Sequence, residues 1–218
     1  MSRRLPYSLP FFLACLAVGG LLCPARAPAQ TSAFDQWQAA DPATQRAVLA
    51  LARRAFEAYT LHHVTITVPT SPLPLLRGRA GVFVSAMRGG APRCCMGTVY
   101  PTQPTVAGEI IASACAAAGA DLRFPPIRAG ELPYLRLIVS LLTPPRPLAV
   151  ADLSTLDPTR DGLVVQGEDR SGVVLSGETA RTQTMLLWGR LRAGASPTAP
   201  VRLFRLRSAR FVEPAEGR

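Results

Sequence analysis

The chain has 218 residues, 24 basic against 14 acidic, a formal charge of +10, and 48% hydrophobic residues. Every basic residue is arginine, because lysine and asparagine are absent from the whole sequence. With abundant Ala, Gly and Pro this is the composition a GC-rich genome writes, and outside Arg202, Arg205, Arg207 and Arg210 the arginines are dispersed. They lack the aromatic interleaving of a base-stacking surface, so no nucleic-acid role is expected.

Arg3 and Arg4, an apolar run from Leu9 to Leu22, and Ala27-Pro28-Ala29 follow the order of a secretory signal peptide cleaved after Ala29. The run is shorter than the roughly 20 residues of a spanning helix and is interrupted by Pro10 and Gly19-Gly20, so no stable membrane span is expected. Lipidation at Cys15 or Cys23 is the lesser reading, since apolar sequence continues after Cys15 and two leucines precede Cys23. Loss of 29 of the 218 residues leaves 189, enough for one domain, and loss of Arg3, Arg4 and Arg26 lowers the charge from +10 to +7. The expected location is extracytoplasmic, periplasmic or secreted. Three of the five cysteines remain, Cys94, Cys95 and Cys115. That odd number gives no disulfide framework, so the core must hold the fold.

Residues 30–42 read as a lead-in whose Phe34 and Trp37 can dock on the body. Asp41-Pro42 has the form of an N-cap followed by proline at the first helical position, and Val48, Leu51, Ala52, Ala55, Phe56 and Tyr59 recur at helical spacing. Pro69, Pro72 and Pro74 predict an extended, non-helical connection. A strand over 82–87, a Gly89-Gly90 turn and a second short strand through Cys94 and Cys95 come next. A helix is predicted over 105–118, opened after Pro104 and stopped near Gly119, with Ile111, Ala114 and Ala118 on one face with Cys115. After the loop 121–126, a long β-rich segment over 134–142 reads as a central strand ended by prolines. The runs 163–166 and 173–175 form a hairpin signal, a helix is placed between 179 and 192 with Gly194 as its stop, and a last strand covers 201–206. Helices and strands mix without a βαβ period, which predicts an α+β fold with a largely antiparallel sheet and flanking helices over 43–213, and a tail over 214–218.

The segments Leu49 to Tyr59, Gly81-Val82-Phe83-Val84-Ser85 and Arg93-Cys94-Cys95-Met96-Gly97-Thr98 occur in an order that resembles the AMMECR-one family, named after the Alport syndrome, midface hypoplasia, mental retardation and elliptocytosis chromosomal region. That family's hallmark, Leu-Arg-Gly-Cys-Ile-Gly, falls on residues 92–97. Ala116-Ala117-Ala118, Asp121 to Pro126, Glu131-Leu132, the Asp161-Gly162-Leu163-Val164-Val165 hairpin and Arg192-Ala193-Gly194 continue the similarity, which covers residues 43–213. The resemblance implies a larger and a smaller subdomain with the cysteine segment near their junction. It implies no reaction and no cofactor. The family's association with Memo-like and radical S-adenosylmethionine proteins fits poorly with an exported chain. Cys94 departs from the hallmark's glycine, Asp161 from a usual histidine, Ser176-Gly177-Glu178 from a Leu-Pro-Gln/Glu segment, and Arg192 from a usual lysine.

Two function classes follow. One is an exported, non-catalytic module that binds a small ligand or a partner segment in a cleft near Arg93 and Cys95, with Cys94, Gly97, Asp121, Arg123 and Glu178 as further binding residues. The other is a cysteine-dependent enzyme with Cys95 as nucleophile and Arg93 as the anion-stabilising group, for which the only histidines, His62 and His63, are far upstream. A redox-active thiol is a third reading. The plainer reading of Cys95 is a packed small hydrophobe. Neighbouring strand residues point to opposite faces, so Cys94 and Cys95 share a pocket only across a bulge or turn. A strained vicinal Cys94–Cys95 disulfide and a bridge from one of them to Cys115, such as Cys95 to Cys115, are the competing arrangements, and metal binding is disfavoured because adjacent cysteines lack the two-residue gap that wraps zinc. Asp121, Arg123 and Glu131 are candidates to hold a polar ligand, against an Asp–Arg pair fixing the crossover with Phe124 in the core. Glu178 reads most simply as a favourable charge at a helix start, and Gly97 as a site of positive φ or close backbone approach.

Overall fold

The structure, a computed structural model, describes residues 33–70 and 72–214. The expected leader and its cleavage site lie outside the described residues. Among the described residues no helix is long and apolar enough to cross a membrane.

The first long helix begins where Asp41 Oδ1 accepts from the N–H groups of Ala43 at 2.8 Å and Thr44 at 2.9 Å, with Pro42 supplying the fixed φ of the first turn. This helix, α2 (Pro42–His62), follows a one-and-a-half-turn α1 (Ala33–Gln38) and ends on His63 in the left-handed region, φ 54°. Phe34 and Trp37 of α1 are buried, as a docked lead-in requires. Pro74 does not keep its surroundings extended: it opens a single helical turn, α3 (Pro74–Arg77), because proline fits the first helical position, where no N–H is needed.

Strands β1 (Gly81–Arg88) and β2 (Ala91–Thr98) form a hairpin closed by Gly89 and Gly90 at φ 56° and 84°, a turn that side chains with Cβ adopt poorly. The pairing slips between Ala86 and Met87, which face Cys94 and Pro92, so Arg93 is the extra residue of a bulge. Helix α4 (Val106–Gly119) is capped by Thr105, whose hydroxyl accepts from Gly108 N–H at 3.1 Å. Its buried Glu109 accepts from the Thr98 hydroxyl at 2.6 Å and from the N–H groups of Thr102 and Gln103, each at 2.7 Å, tying the loop after β2 to the helix. Strand β3 (Leu135–Leu142) is central, as predicted, and is followed by a short β4 (Arg146–Leu148), the hairpin β5 (Asp161–Gln166) and β6 (Ser171–Val174), α5 (Thr182–Ala193) and β7 (Arg202–Val212).

The sheet runs β2-β1-β3-β7-β5-β6 with β4 also on β7, antiparallel throughout. Strand β7 is nearly twice as long as the sequence suggested, because it serves two neighbours in turn. Its first half pairs with β5 and β4 and its second half with β3. Small and polar Ser208, Ala209 and Arg210 blurred the apolar alternation there, and β4 was hidden by Pro147, tolerable only beside a free edge. The result is the α+β fold with two unequal subdomains. A large core joins α1, α2 and α4 to β1, β3 and the end of β7, and a smaller one packs Met185 and Ala193 of α5 on Leu163, Val165, Val174 and Leu203. A third cluster lies on the other side of the sheet, where Phe83 and Cys95 from one end meet Val173 and Leu175 from the other. The sheet is therefore curled.

Candidate functional site

Alternation along β2 sends the two adjacent thiols to opposite faces. Cys94 is 1% exposed within the large core, whereas Cys95 packs in the third cluster inside the curl. Cys115 is buried with Cys94's cluster, not with Cys95, so the bridge considered between Cys95 and Cys115 is excluded by the sheet that separates them. All three thiols are free. Cys94, expected to touch ligand, is instead a packing residue, and burial pushes its thiol up to about 12.

Cys95 is braced on its backbone. Its N–H donates to Asp121 Oδ2 at 2.8 Å and its carbonyl accepts from Arg123 Nη2 at 2.8 Å, while Arg123 Nε and Nη2 grip the Asp121 carboxylate at 2.9 and 2.7 Å. Since β2 is an edge strand, this Asp–Arg pair stands in for a missing neighbouring strand at one residue. Burial pushes the Asp121 carboxyl up, but the Arg123 hydrogen bonds and the Cys95 N–H outweigh it and hold it below the usual carboxylate range. Phe124 is not in the core, as had been expected. It is half-buried under two guanidinium groups, Arg93 at 5.9 Å and Arg123 at 5.7 Å, and Ile127 is the buried anchor of the loop.

The Cys95 sulfur accepts from the Ser85 hydroxyl at 3.1 Å. Burial is the main influence on the thiol and pushes it up, Glu178 adds to the rise, and Ser85, Arg123 and Arg192 oppose it without prevailing. Glu178 does not sit on a helix start. It precedes α5 in a loop, accepts from Leu175 N–H at 2.8 Å, and pairs with Arg192 at 2.6 Å near the far end of that helix. Both histidines are exposed at the carboxyl end of α2, His63 edge-on to Tyr59 at 5.6 Å, and neither belongs to the cluster that holds Cys95, so no imidazole joins Cys95 as a base.

Arg93 was expected to stabilise Cys95 but is committed elsewhere. Its Nε and Nη2 form a fork on Glu131 at 2.8 and 2.9 Å, and its Nη1 is buried with no partner among the described residues. The Glu131 carboxyl is held down first by this hydrogen bonding, against a smaller opposing effect of burial. Arg88, Arg93, Phe124, Pro125, Arg128 and Glu131 line an open notch of about 370 Å³ beside the β-bulge. Arg88 and Arg128 were missed from the sequence because nothing local distinguishes them from other surface arginines. Arg192 was noted only as a departure from a lysine. Gly97 is required by close approach: a Cβ there would lie 2.0 Å from Val82 O and 2.6 Å from Phe83 Cα across the hairpin.

Comparison with known proteins agrees with this architecture. A protein of Thermotoga maritima is 40% identical over 124 residues, 56% of this chain and 70% of that protein. A protein of Thermofilum pendens is 32% identical over 185 residues, 75% of this chain and 86% of its own length. The crystal structure of the uncharacterized protein PH0010 from Pyrococcus horikoshii matches with a TM-score of 0.71 at 27% identity, covering 82% of this chain and 92% of that one. The AMMECR1 family profile matches residues 49–212, a span that takes in the large core from within α2, the Cys94–Cys95 strand, the brace on Cys95 and all of β7. By that match the chain belongs to the AMMECR1 family.

Proposed function

We propose that this protein is an exported, non-catalytic binding module that receives an acidic group of a small ligand or partner segment in the notch of Arg88, Arg93 and Arg128. The observation that carries the reading is the Arg93 Nη1 group, a buried cationic donor with no acceptor among the described residues, beside a notch with two further guanidinium groups. Leaving such a donor unpaired costs about 1–3 kcal/mol, and an incoming carboxylate or phosphate oxygen recovers it. Phe124 lines the same notch, its ring already beside the Arg93 and Arg123 guanidinium groups. The rigid β-bulge and the Glu131 fork fix the direction of the guanidinium before any ligand arrives, which lowers the ordering cost of binding.

The thiol-enzyme reading is weakened by the same geometry. A nucleophilic cysteine needs a thiolate at working pH, and here burial opposes it, the nearby Glu178 repels it, and no base is in reach. Export rests on the leader-like first 29 residues alone.

The test is a titration with acetate, succinate and inorganic phosphate at constant ionic strength, followed by thermal unfolding of the wild type and of Arg128→Ala. Saturable stabilisation of the wild type that Arg128→Ala loses is the expected result. Absence of any specific anion effect overturns the notch as a binding site. Alkylation mapped by mass spectrometry completes the test, because selective labelling of Cys95 well below about pH 8 would restore the enzyme. Recovery of the chain beginning at Gln30 from the extracytoplasmic fraction is expected, and retention of an intact amino terminus in the cytoplasm would overturn export.

A further inference from the structure

A second cleft, larger than the notch, shares no lining residue with it and does not include Cys95 in its lining. About 990 Å³ in volume, it runs between α1 on one side and β4 with the 3-10 turn Val150–Thr155 on the other, over the start of β1 and the middle of β7. Five arginines line it, Arg79, Arg146, Arg160, Arg205 and Arg207, against three aspartates, Asp152, Asp157 and Asp161.

Only part of that charge is internally neutralised. Arg205 is paired with the buried Asp161 at 2.5 Å, and Asp157, bonded by the Thr159 hydroxyl and N–H at 2.6 and 2.9 Å, keeps its negative charge and offsets part of that of Arg160 and Arg205. Arg79 reaches the Pro101 carbonyl at 3.2 Å. Among the described residues Arg146, Arg160 and Arg207 make no ion pair. Arg207 is stacked on the Phe34 ring at 4.0 Å, which fixes its plane beside α1. These three cations come from three different elements, β4, the turn before β5 and β7, and they face one cavity.

Guanidinium groups supply planar forks matched to oxyanions. A single carboxylate satisfies one fork, whereas a phosphate carries up to two charges and three terminal oxygens that several forks can share. The cleft also presents Tyr100, an aromatic ring that is 66% exposed and free to stack, and its volume falls at the top of the range of small-molecule sites. We infer that this cleft binds a phosphorylated small molecule of nucleotide size, with Arg146, Arg160 and Arg207 on the phosphate and Tyr100 against its ring. The site is independent of the notch, sharing no residue with it.

Trp37 lines this cleft and the other tryptophan, Trp188, does not, which supplies a local reporter. In the full chain carrying Trp188→Phe, titration with inorganic pyrophosphate and with AMP is expected to change Trp37 emission saturably. AMP should bind the more tightly of the two. Adding Arg146→Ala and Arg160→Ala, both at exposed positions, should weaken binding at least about tenfold, while Arg128→Ala in the notch should leave it unchanged. Tyr100→Ala should weaken AMP but not pyrophosphate. No saturable change with either probe overturns the inference, as does binding indifferent to the two arginine substitutions. Equal binding of citrate and AMP overturns the assignment to phosphorylated ligands. Loss of the notch with retention of this site, or the reverse, separates the fate of this inference from that of the proposed function.

Discussion

Asp121 bonds the amide of Cys95 from across the free edge of β2, at 2.8 Å, and does so while held in a fork by Arg123, whose Nη2 also donates to the Cys95 carbonyl. A two-residue loop element thereby satisfies both main-chain groups that an edge strand leaves open. It also fixes which way the Cys95 side chain faces.

Replacing Asp121 with alanine leaves the Cys95 amide without its partner and frees Arg123. The expected loss is about 1–3 kcal/mol in chemical denaturation. Alkylation of Cys95 in the folded protein should accelerate at the same time, because the edge can open there. An unchanged denaturation midpoint would show that water replaces the brace at no cost.

Gly97→Ala places a Cβ against the Val82 carbonyl and the Phe83 backbone, both main-chain positions that cannot swing away. The hairpin must separate, and a destabilisation of about 3 kcal/mol is expected, larger than the usual cost of an added methyl. Thermal unfolding measures it. Gly89→Ala, at φ 56° but with open space around it, should cost less.

Cys94 gives the fold an alkaline weakness. The folded thiol keeps its proton up to about 12, whereas the unfolded one loses it near 9, so between those values the folded state binds more protons and stability falls as pH rises. The slope from this group approaches about 1.4 kcal/mol per pH unit in that window and vanishes below it. Denaturation curves for wild type and Cys94→Ala across the window should converge as pH rises.

Glu131 acts with the opposite sign. Its carboxyl is held below its ordinary value of 4.5 by the Arg93 fork, so its contribution is present above that pH and lost as pH falls through the lower folded value. Glu131→Gln should lose stability at neutral pH and show a flatter acid limb. It should also leave Arg93 free to turn, reducing anion binding in the notch. Unaltered anion binding would mean that the bulge alone orients the guanidinium.

Much of the local structure was written in adjacent residues. The Asp41-Pro42 cap, the Gly89-Gly90 turn and the Gly194 stop each depend on one or two side chains or on one φ angle, so they read correctly from the chain. The opposite facing of Cys94 and Cys95 followed from the two-residue period of a strand. The ordered motifs from Leu49 to Arg192 carried the family.

What the sequence could not hold was any relation set by the curl of the sheet. Phe83 and Cys95 lie near one end of the sheet order and Val173 and Leu175 near the other, and only the accumulated twist brings them together over one cluster. Arg93 faced Glu131, 38 residues away, rather than its own neighbour Cys95 because a bulge, visible only in the pairing register, redirected it. Likewise the arginines of the large cleft are scattered from Arg79 to Arg207, and it is strand β7, shared by both subdomains, that gathers them. Caps, turns and alternation are short-range and therefore determined by the sequence, while register, curl and the meeting of distant charges depend on the whole sheet and were decided by the tertiary structure.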